Sequence, residues 1–252
     1  MSDDVATVTE RASTVRADNP GIMTLDGTNT WILREPGATR SVVVDPGPDD
    51  VEHLDLVREA AGDVALILFT HRHFDHTDAL QGFAARTGAP ARATDPEFCL
   101  DGDPLVDAEV IDVDGLRLTV VSTPGHTSDS TCFRLLDEPS LLSGDTVLGR
   151  GTTIIAHPDG VLGPYLDSLA ILRELVEEDL VDRILPDHGA VIDQAGAVLD
   201  FYLERLDQVR AALEAGATDA RSVVERVYTD VDESLWSAAE LSVKAQLDYL
   251  RD

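Results

Sequence analysis

The segment Thr70-His71-Arg72-His73-Phe74-Asp75-His76 places four potential metal donors within six residues, in the pattern H-x-H-x-D-H. Imidazole nitrogens and carboxylate oxygens at that density suit zinc and similar divalent ions. His71, His73 and Asp75 are spaced by two, so in extended backbone their side chains project to one side. His76 breaks that period and can approach from another angle. Three later segments add donors: Pro124-Gly125-His126-Thr127, Ser143-Gly144-Asp145 and Pro186-Asp187-His188-Gly189. The four segments hold five of the seven histidines. A donor set of this size fits a centre with two divalent cations. Such a pair lowers the pKa of a shared water and stabilises the oxyanion formed when that water attacks a substrate. No serine or cysteine nucleophile is then required. Taken alone, the first segment would read as a polar loop after a strand, and the later segments argue for a site.

Convergence of such distant residues needs a rigid frame. The apolar run Val64-Ala65-Leu66-Ile67-Leu68-Phe69 reads as a buried strand leading into the first segment. Leu116 to Val121 leads into the second, Ser140 to Ser143 into the third, and Ile184-Leu185 into the fourth. Every donor segment therefore sits at a strand end, where loops can bring side chains together. Elsewhere, Val5 to Val15 has β-branched residues in partial alternation. Thr30 to Leu33 and Ser41 to Val44 flank Glu35-Pro36-Gly37-Ala38 and read as a hairpin. Thr131 to Leu136 reads as a further strand. Helices are expected at Val51 to Ala61, with Asp49 or Asp50 as N-cap, near Asp78 to Thr87, and at Leu166 to Glu178. From Ala195 the chain reads as helical, with a break at Gly216-Ala217-Thr218.

Composition narrows the class. A chain of 252 residues with 43% hydrophobic content can bury a substantial core. No apolar run is long enough to cross a bilayer, so no membrane association is expected. Met1-Ser2-Asp3-Asp4-Val5 is acidic and lacks the basic stretch of a secretory signal. Cys99 and Cys132 form no C-x-x-C pair and read as reduced thiols in a cytoplasmic protein. Lys plus Arg is 19 and Asp plus Glu is 48, giving a net charge of −29, and Lys244 is the only lysine. Acidic residues are scattered along the chain, so the charge belongs to the folded surface. Salt screens such self-repulsion, and a halophilic, salt-adapted protein is the expectation. The same charge argues against strong general nucleic-acid binding.

The four donor segments, in order and spacing, resemble the metallo-β-lactamase superfamily over roughly residues 5–200. Asn19-Pro20-Gly21, Leu25-Asp26-Gly27-Thr28-Asn29-Thr30, Gly144-Asp145-Thr146-Val147-Leu148-Gly149 and Gly151-Thr152-Thr153 are similar, more narrowly, to the lactamase-beta-like protein 2 subfamily. The resemblance implies an α/β fold, the αββα sandwich, over residues 1–203. It also implies a small C-terminal helical appendage, a truncated winged-helix-like piece, over residues 204–252. His71, His73 and His126 would hold one ion, and Asp75, His76 and His188 the other. Asp145 would bridge both, together with a water or hydroxide. Asp75 can also orient that hydroxide or accept its proton. Asp45, in Asp45-Pro46-Gly47, matches a D-x-G that lies beneath the metal site in the superfamily, where a carboxylate can orient a ligating histidine. Thr127 and Ser130 are further candidate supports. His53 reads as a surface residue on a helix, and His157 as part of a surface turn. Where the family carries P-G-H-G, this chain has Asp187 before His188, which brings an acidic side chain to that position.

These readings converge on a cytoplasmic hydrolase that carries two divalent metal ions, zinc first, with manganese or iron as alternatives. Its substrate would be a small-molecule ester or thioester, or a phosphodiester. Other functions share the pattern: a mononuclear iron persulfide dioxygenase, a single-strand-specific endoribonuclease, or a noncatalytic metal-binding protein. The acidic residues of the C-terminal region disfavour a phosphate-binding surface. Its apolar positions at helical spacing point to packing on the main domain or on a second copy in a homodimer.

Overall fold

A computed structural model of the chain describes residues 5–155, 159–229, 233 and 236–250. The expectations for His157, and for Asp230, Asp232 and Leu235 of the tail, fall outside the described residues. Strand alternation sets the layers. In β3 (Asn29–Leu33) and β4 (Arg40–Val44), Trp31, Leu33, Val42 and Val44 face one core, while Ile32 and Val43 face another. β5 (Asp63–Leu68) divides in the same way, with Leu66 and Leu68 against Ile67. Both faces of this sheet are covered, so its inner strands read as apolar runs instead of alternating ones.

Among the described residues there are two sheets. The first has the order β1-β2-β3-β4-β5-β6, adding β1 (Val5–Thr7), β2 (Ala12–Arg16) and β6 (Ala91–Arg92). The second has the order β11-β10-β9-β8-β7, from β7 (Val110–Val113), β8 (Leu116–Ser122), β9 (Thr131–Leu135), β10 (Ser140–Gly144) and β11 (Arg183–Pro186). Trp31, Leu66 and Leu68 meet Leu118, Phe133 and Leu142 between the sheets. α1 (Val51–Ala61) and α3 (Leu80–Thr87), with the one-turn α2 (Phe74–Thr77) between them in the chain, pack on the outside of the first sheet through Leu54, Val57 and Phe83. α4 (Leu162–Glu177) and α5 (Ala195–Glu214) cover the second through Leu169, Leu172 and Leu199, which meet Cys132, Leu141 and Ile184. The result is the expected αββα sandwich. Each fully buried side chain of this size contributes about 1.5–3 kcal/mol.

α6 (Ala220–Val227) and α7 (Trp236–Tyr249) form the tail. Residue 204 lies within α5, whose early residues Leu199 and Leu206 pack on the second sheet's helical layer, while Val209 and Ala212 pack with Val223, Val224 and Val243 of the tail. Asp219 caps α6 by accepting from the Ser222 amide. Arg205, 6% exposed, clamps the tail to α5: its guanidinium lies 4.7 Å from the Phe201 ring and 4.6 Å from the Tyr228 ring, and Nη1 donates to Val227 O at 3.1 Å.

Some sequence expectations need adjustment. The Val5–Val15 stretch is two strands, separated by a turn in which Thr9 Oγ1 accepts from the Arg11 and Ala12 amides. α4 begins at Leu162, earlier than the expected Leu166, because Pro164 falls in the first turn, where its missing N–H costs nothing. Asp50 is the N-cap of α1 and accepts from the His53 amide at 2.9 Å. His53 itself is not a surface residue. It is 5% exposed, and Nε2 lies 3.0 Å from Thr30 Oγ1 and 3.1 Å from Pro46 O. The inner face of α1 presses it onto β3, and those oxygens satisfy its ring. Cys132 is buried, Cys99 is half-buried, and both are free thiols.

Strand direction positions the donor segments. β5 runs parallel to β4, and β10 runs parallel to β11, with Gly144 opposite Pro186. β9 is antiparallel to both β8 and β10, so β8 points the same way as β10. The C-terminal ends of β8, β10 and β11 therefore open at one edge. The Thr131 amide donates to Thr70 O at 2.8 Å and the Asn29 amide to Asp187 O at 2.7 Å, stitching that edge to the loop after β5.

Candidate metal centre

Two clusters of inward-facing atoms lie at this edge. In the first, His73 Nδ1 is 3.0 Å from His71 Nε2 and 3.0 Å from His126 Nε2. Asp145 Oδ2 lies 4.0 Å from His71 Nε2 and 3.7 Å from His126 Nε2. Nitrogens around a tetrahedral zinc would stand about 3.3 Å apart, close to this spacing. In the second, Asp75 Oδ2 is 3.3 Å from His76 Nε2 and 3.2 Å from His188 Nε2. Asp145 Oδ1 is 3.8 Å from His76 Nε2 and 3.4 Å from His188 Nε2. One carboxylate thus presents one oxygen to each cluster. All seven residues expected from the sequence, His71, His73, Asp75, His76, His126, Asp145 and His188, come together here.

The far side of most rings is anchored. His126 Nδ1 donates to Ile154 O at 2.8 Å, and His188 Nδ1 donates to Gly27 O at 3.2 Å. A carbonyl can only accept, so each bond puts a proton on Nδ1 and leaves Nε2 facing the cluster. His71 Nδ1 lies 3.0 Å from Thr70 Oγ1. His76 Nδ1 faces two carboxylates, at 3.2 Å from Asp45 Oδ2 and 3.5 Å from Asp187 Oδ2. Asp45 is fully buried and accepts from the Thr70 amide at 2.9 Å and from Thr70 Oγ1 at 2.5 Å. It therefore sits behind His76 and fixes the start of the donor loop.

Asp187 avoids the left-handed region of backbone space, so replacing glycine there costs no strain. His188 still reaches the second cluster, and the Asp187 carboxyl turns away from it toward Asp45, His76 and Thr70. Thr127 and Ser130 bond to each other at 2.7 Å, and the Gly125 amide donates to Thr127 O at 2.9 Å, closing the turn that carries His126.

Other supports had no assigned role in the sequence reading. Thr70 is the hub of the donor loop. Asn29 Nδ2 donates to Pro186 O at 2.9 Å and to Gly189 O at 3.0 Å, holding the loop that bears His188. Arg72 Nε donates to Asp129 at 3.0 Å and Nη2 to Ser128 at 3.0 Å, tying the His71–His73 loop to the turn that follows His126. The only sequence cue for Thr70 and Arg72 is adjacency to the histidines.

Charge in the site is finely opposed. Burial, with the neighbouring His76 adding to it, pushes His71 well below its usual value, and burial with His126 lowers His73. Both rings are neutral at pH 7, the form that offers a lone pair to a metal. Burial also disfavours charge on His76 and His188. The carboxylates outweigh it, Asp75 foremost for His76 and Asp145 foremost for His188, which rises to about 10. Burial likewise disfavours ionised Asp75 and Asp145, but His76 and His188 respectively hold them far below the carboxylate range.

His76 Nε2, His188 Nε2 and Asp145 Oδ1 are buried, and among the described residues they meet their neighbours as unaligned charge contacts of 3.2–3.8 Å, without a hydrogen bond. Their convergence, in a nitrogen and carboxylate donor set, fits divalent cations.

A cleft opens beside the centre. His126 and Asp145 line its floor, and Leu148, Arg150 and Ile154 line one wall.

The family model described as "Metallo-beta-lactamase superfamily" matches residues 23–188, and that described as "Beta-lactamase associated winged helix domain" matches residues 220–252. The "Beta-lactamase-like protein 2 homolog" of Drosophila melanogaster is 29% identical over 258 residues, covering 92% of this chain and 85% of that one. The "Atrochrysone carboxyl ACP thioesterase" of Aspergillus fumigatus is 33% identical over 233 residues, covering 87% and 70%. Among solved structures, a metallo-beta-lactamase family protein of Thermus thermophilus shares the fold with a TM-score of 0.76 at 21% identity, covering 97% and 94%.

Proposed function

The chain belongs to the metallo-beta-lactamase superfamily, and from that premise we propose that it is a binuclear metal-dependent hydrolase of thioesters or related small esters. The observation that carries the reading is Asp145, with one oxygen toward each cluster, beside the buried Nε2 atoms of His76 and His188. His71, His73 and His126 are assigned to one ion, and Asp75, His76 and His188 to the other, with Asp145 between them. Bound zinc, or manganese or iron in its place, would supply an activated water and electrophilic stabilisation of the oxyanion.

The chain's own residues do the remaining work. Asp45 and Asp187 hold the His76 ring through Nδ1, and the Gly27 and Ile154 carbonyls hold His188 and His126. Asp75 Oδ2 receives a contact from Thr28 Oγ1 at 3.4 Å, which orients its carboxylate so that it can hold and aim the attacking water. The thioester preference is supported by the fungal relative named as a thioesterase and by an apolar cleft beside the centre.

In this reading residues 1–203 are the catalytic domain and 204–252 an appendage. Among the described residues no helix is long and apolar enough to cross a membrane. Elemental analysis after reconstitution, together with hydrolysis of thioester, phosphodiester and RNA substrates, tests the proposal. The expected result is two ions per chain and thioester cleavage. One ion at most, with oxygen uptake and no hydrolysis, overturns it in favour of a mononuclear dioxygenase.

A further inference from the structure

We propose that the α6–α7 tail forms the acyl-selecting wall of the site and that the cleft beside the centre takes an apolar acyl chain; this rests on the hydrolase reading above. About 100 Å³ of the cleft is open to the centre of a water-sized sphere, and its mouth opens to solvent. Opposite Leu148 and Ile154, its far wall is Tyr228 and, from α7, Ala239 and Ser242. Its rim carries Ile22 and Met23, each 54% exposed. These two large apolar side chains, adjacent at the mouth, offer an apolar ligand a contact surface.

Charge points the same way. Among the described residues lining the cleft, Arg150 is the one arginine or lysine, and it sits 3.5 Å from Asp26. A polynucleotide backbone would need several unpaired cations along its path. The far wall is also held in place. The Tyr228 ring stacks on the Arg205 guanidinium, which donates to Val227 O, and Ser242 Oγ donates to Thr153 O at 3.4 Å, linking α7 to the loop beneath the cleft. A fixed wall faced by Ala239 leaves room for a chain, and a larger residue there would shorten that room. Burial of each methylene should raise affinity about fourfold, so four methylenes give roughly 200-fold.

Two measurements separate this proposal from the hydrolase reading. Calorimetry with non-hydrolysable alkyl thioethers, from ethyl to octyl, tests the cleft directly. Turnover of acyl thioesters of one small thiol, from acetyl to octanoyl, tests it in catalysis. The metal-loaded protein should bind and cleave longer chains better, at least to hexyl. Ala239→Phe should move the optimum to shorter chains. Met23→Glu changes an exposed side chain and spares the fold, and it should lower the octanoyl-to-acetyl ratio of kcat/KM at least about tenfold. A profile flat with chain length, or ratios unchanged in both variants, overturns the proposal even if thioesters are cleaved. Chain-length-dependent thioether binding without any cleavage upholds the cleft and removes the hydrolase reading.

Discussion

Gly125 precedes His126 at φ +140, and a Cβ added there would lie 2.3 Å from the Cα of Tyr165 and 2.4 Å from its backbone nitrogen. Gly37 provides the comparison, because it sits at φ +87 in an exposed turn and an added Cβ would meet nothing within 4 Å. Alanine at either position bears the cost of a left-handed backbone, about 1–2 kcal/mol. Gly125→Ala adds a collision between two backbones. Restoring ordinary contact requires a shift of roughly 1.5 Å in either the His126 turn or α4. Forcing extra volume into a packed interior costs about 1–3 kcal/mol more. The total is then about 2–5 kcal/mol for Gly125→Ala against 1–2 kcal/mol for Gly37→Ala. At about 2–4 °C per kcal/mol for a chain of this size, Tm should fall by roughly 4–20 °C and 2–8 °C respectively. Metal binding should separate the two more sharply. Ligand positions tolerate only about 0.2 Å, so displacing His126 Nε2 should weaken affinity by about 100-fold or more, while Gly37→Ala leaves it unchanged. Thermal unfolding followed by circular dichroism, and metal titration against a competing chelator, supply both readings. Equal losses of Tm in the two variants, or unaltered affinity in Gly125→Ala, would refute the reasoning.

Three other outcomes are expected. Burial, and then the Asp45 carboxylate, push the Asp187 carboxyl well above its usual range, so the folded chain keeps a proton here that the unfolded chain releases above about pH 4. Its stabilising contribution is full below that pH and is lost as pH rises through the folded pKa. Metal-free Asp187→Asn should therefore lose less Tm than the parent between about pH 5 and 9, and parallel pH profiles would contradict this. With a net charge of −29, the protein should gain Tm steeply from low to molar salt, as screening removes repulsion, and a flat dependence would end the salt-adaptation argument. Burial raises the Cys132 thiol to about 12, which leaves roughly one thiolate in ten thousand at pH 8. Alkylation of the native protein should reach at most one thiol, Cys99, while denaturant exposes both, and fast modification of two thiols without denaturant would show the interior to be open.

The parts of the fold legible in the sequence were those written in periodic or clustered residues. The apolar run 64–69 announced β5, the Glu35-Pro36-Gly37-Ala38 turn announced the β3–β4 hairpin, and the donor segments followed strands as expected. Short edge strands were not legible. β6 has two residues, and β7 has four with Val110 exposed, so neither repeats a pattern often enough to be read. The seven clustered side chains were visible because histidines and aspartates at fixed spacing are rare. Their supports were not, since Thr70, Asn29 and the Ile154 carbonyl act through backbone placement that no residue type encodes. His53 was misread because a polar residue on an amphipathic helix looks solvated until the oxygens of Thr30 and Pro46 are found beneath it. The cleft wall escaped notice as well, because it forms only when α7 folds back beside Ile22 and Met23.

The two donor clusters also act on the order of events. His71 and His188 stand 188 − 71 = 117 residues apart, one at the end of a strand in each sheet. An ion pair joined to both would behave as a reversible cross-link closing a loop of that length. In covalent form, a loop of about 100 residues is worth about 4.7 kcal/mol in unfolded-chain entropy. A chain emerging from synthesis exposes His71, His73, Asp75 and His76 early, yet the first cluster waits for Asp145 and the second for His188. On the two-ion reading, metal uptake would follow docking of the second sheet: cations arriving earlier would find only a partial set of donors on a loop, and a loaded centre would report that the two halves of the sandwich have closed.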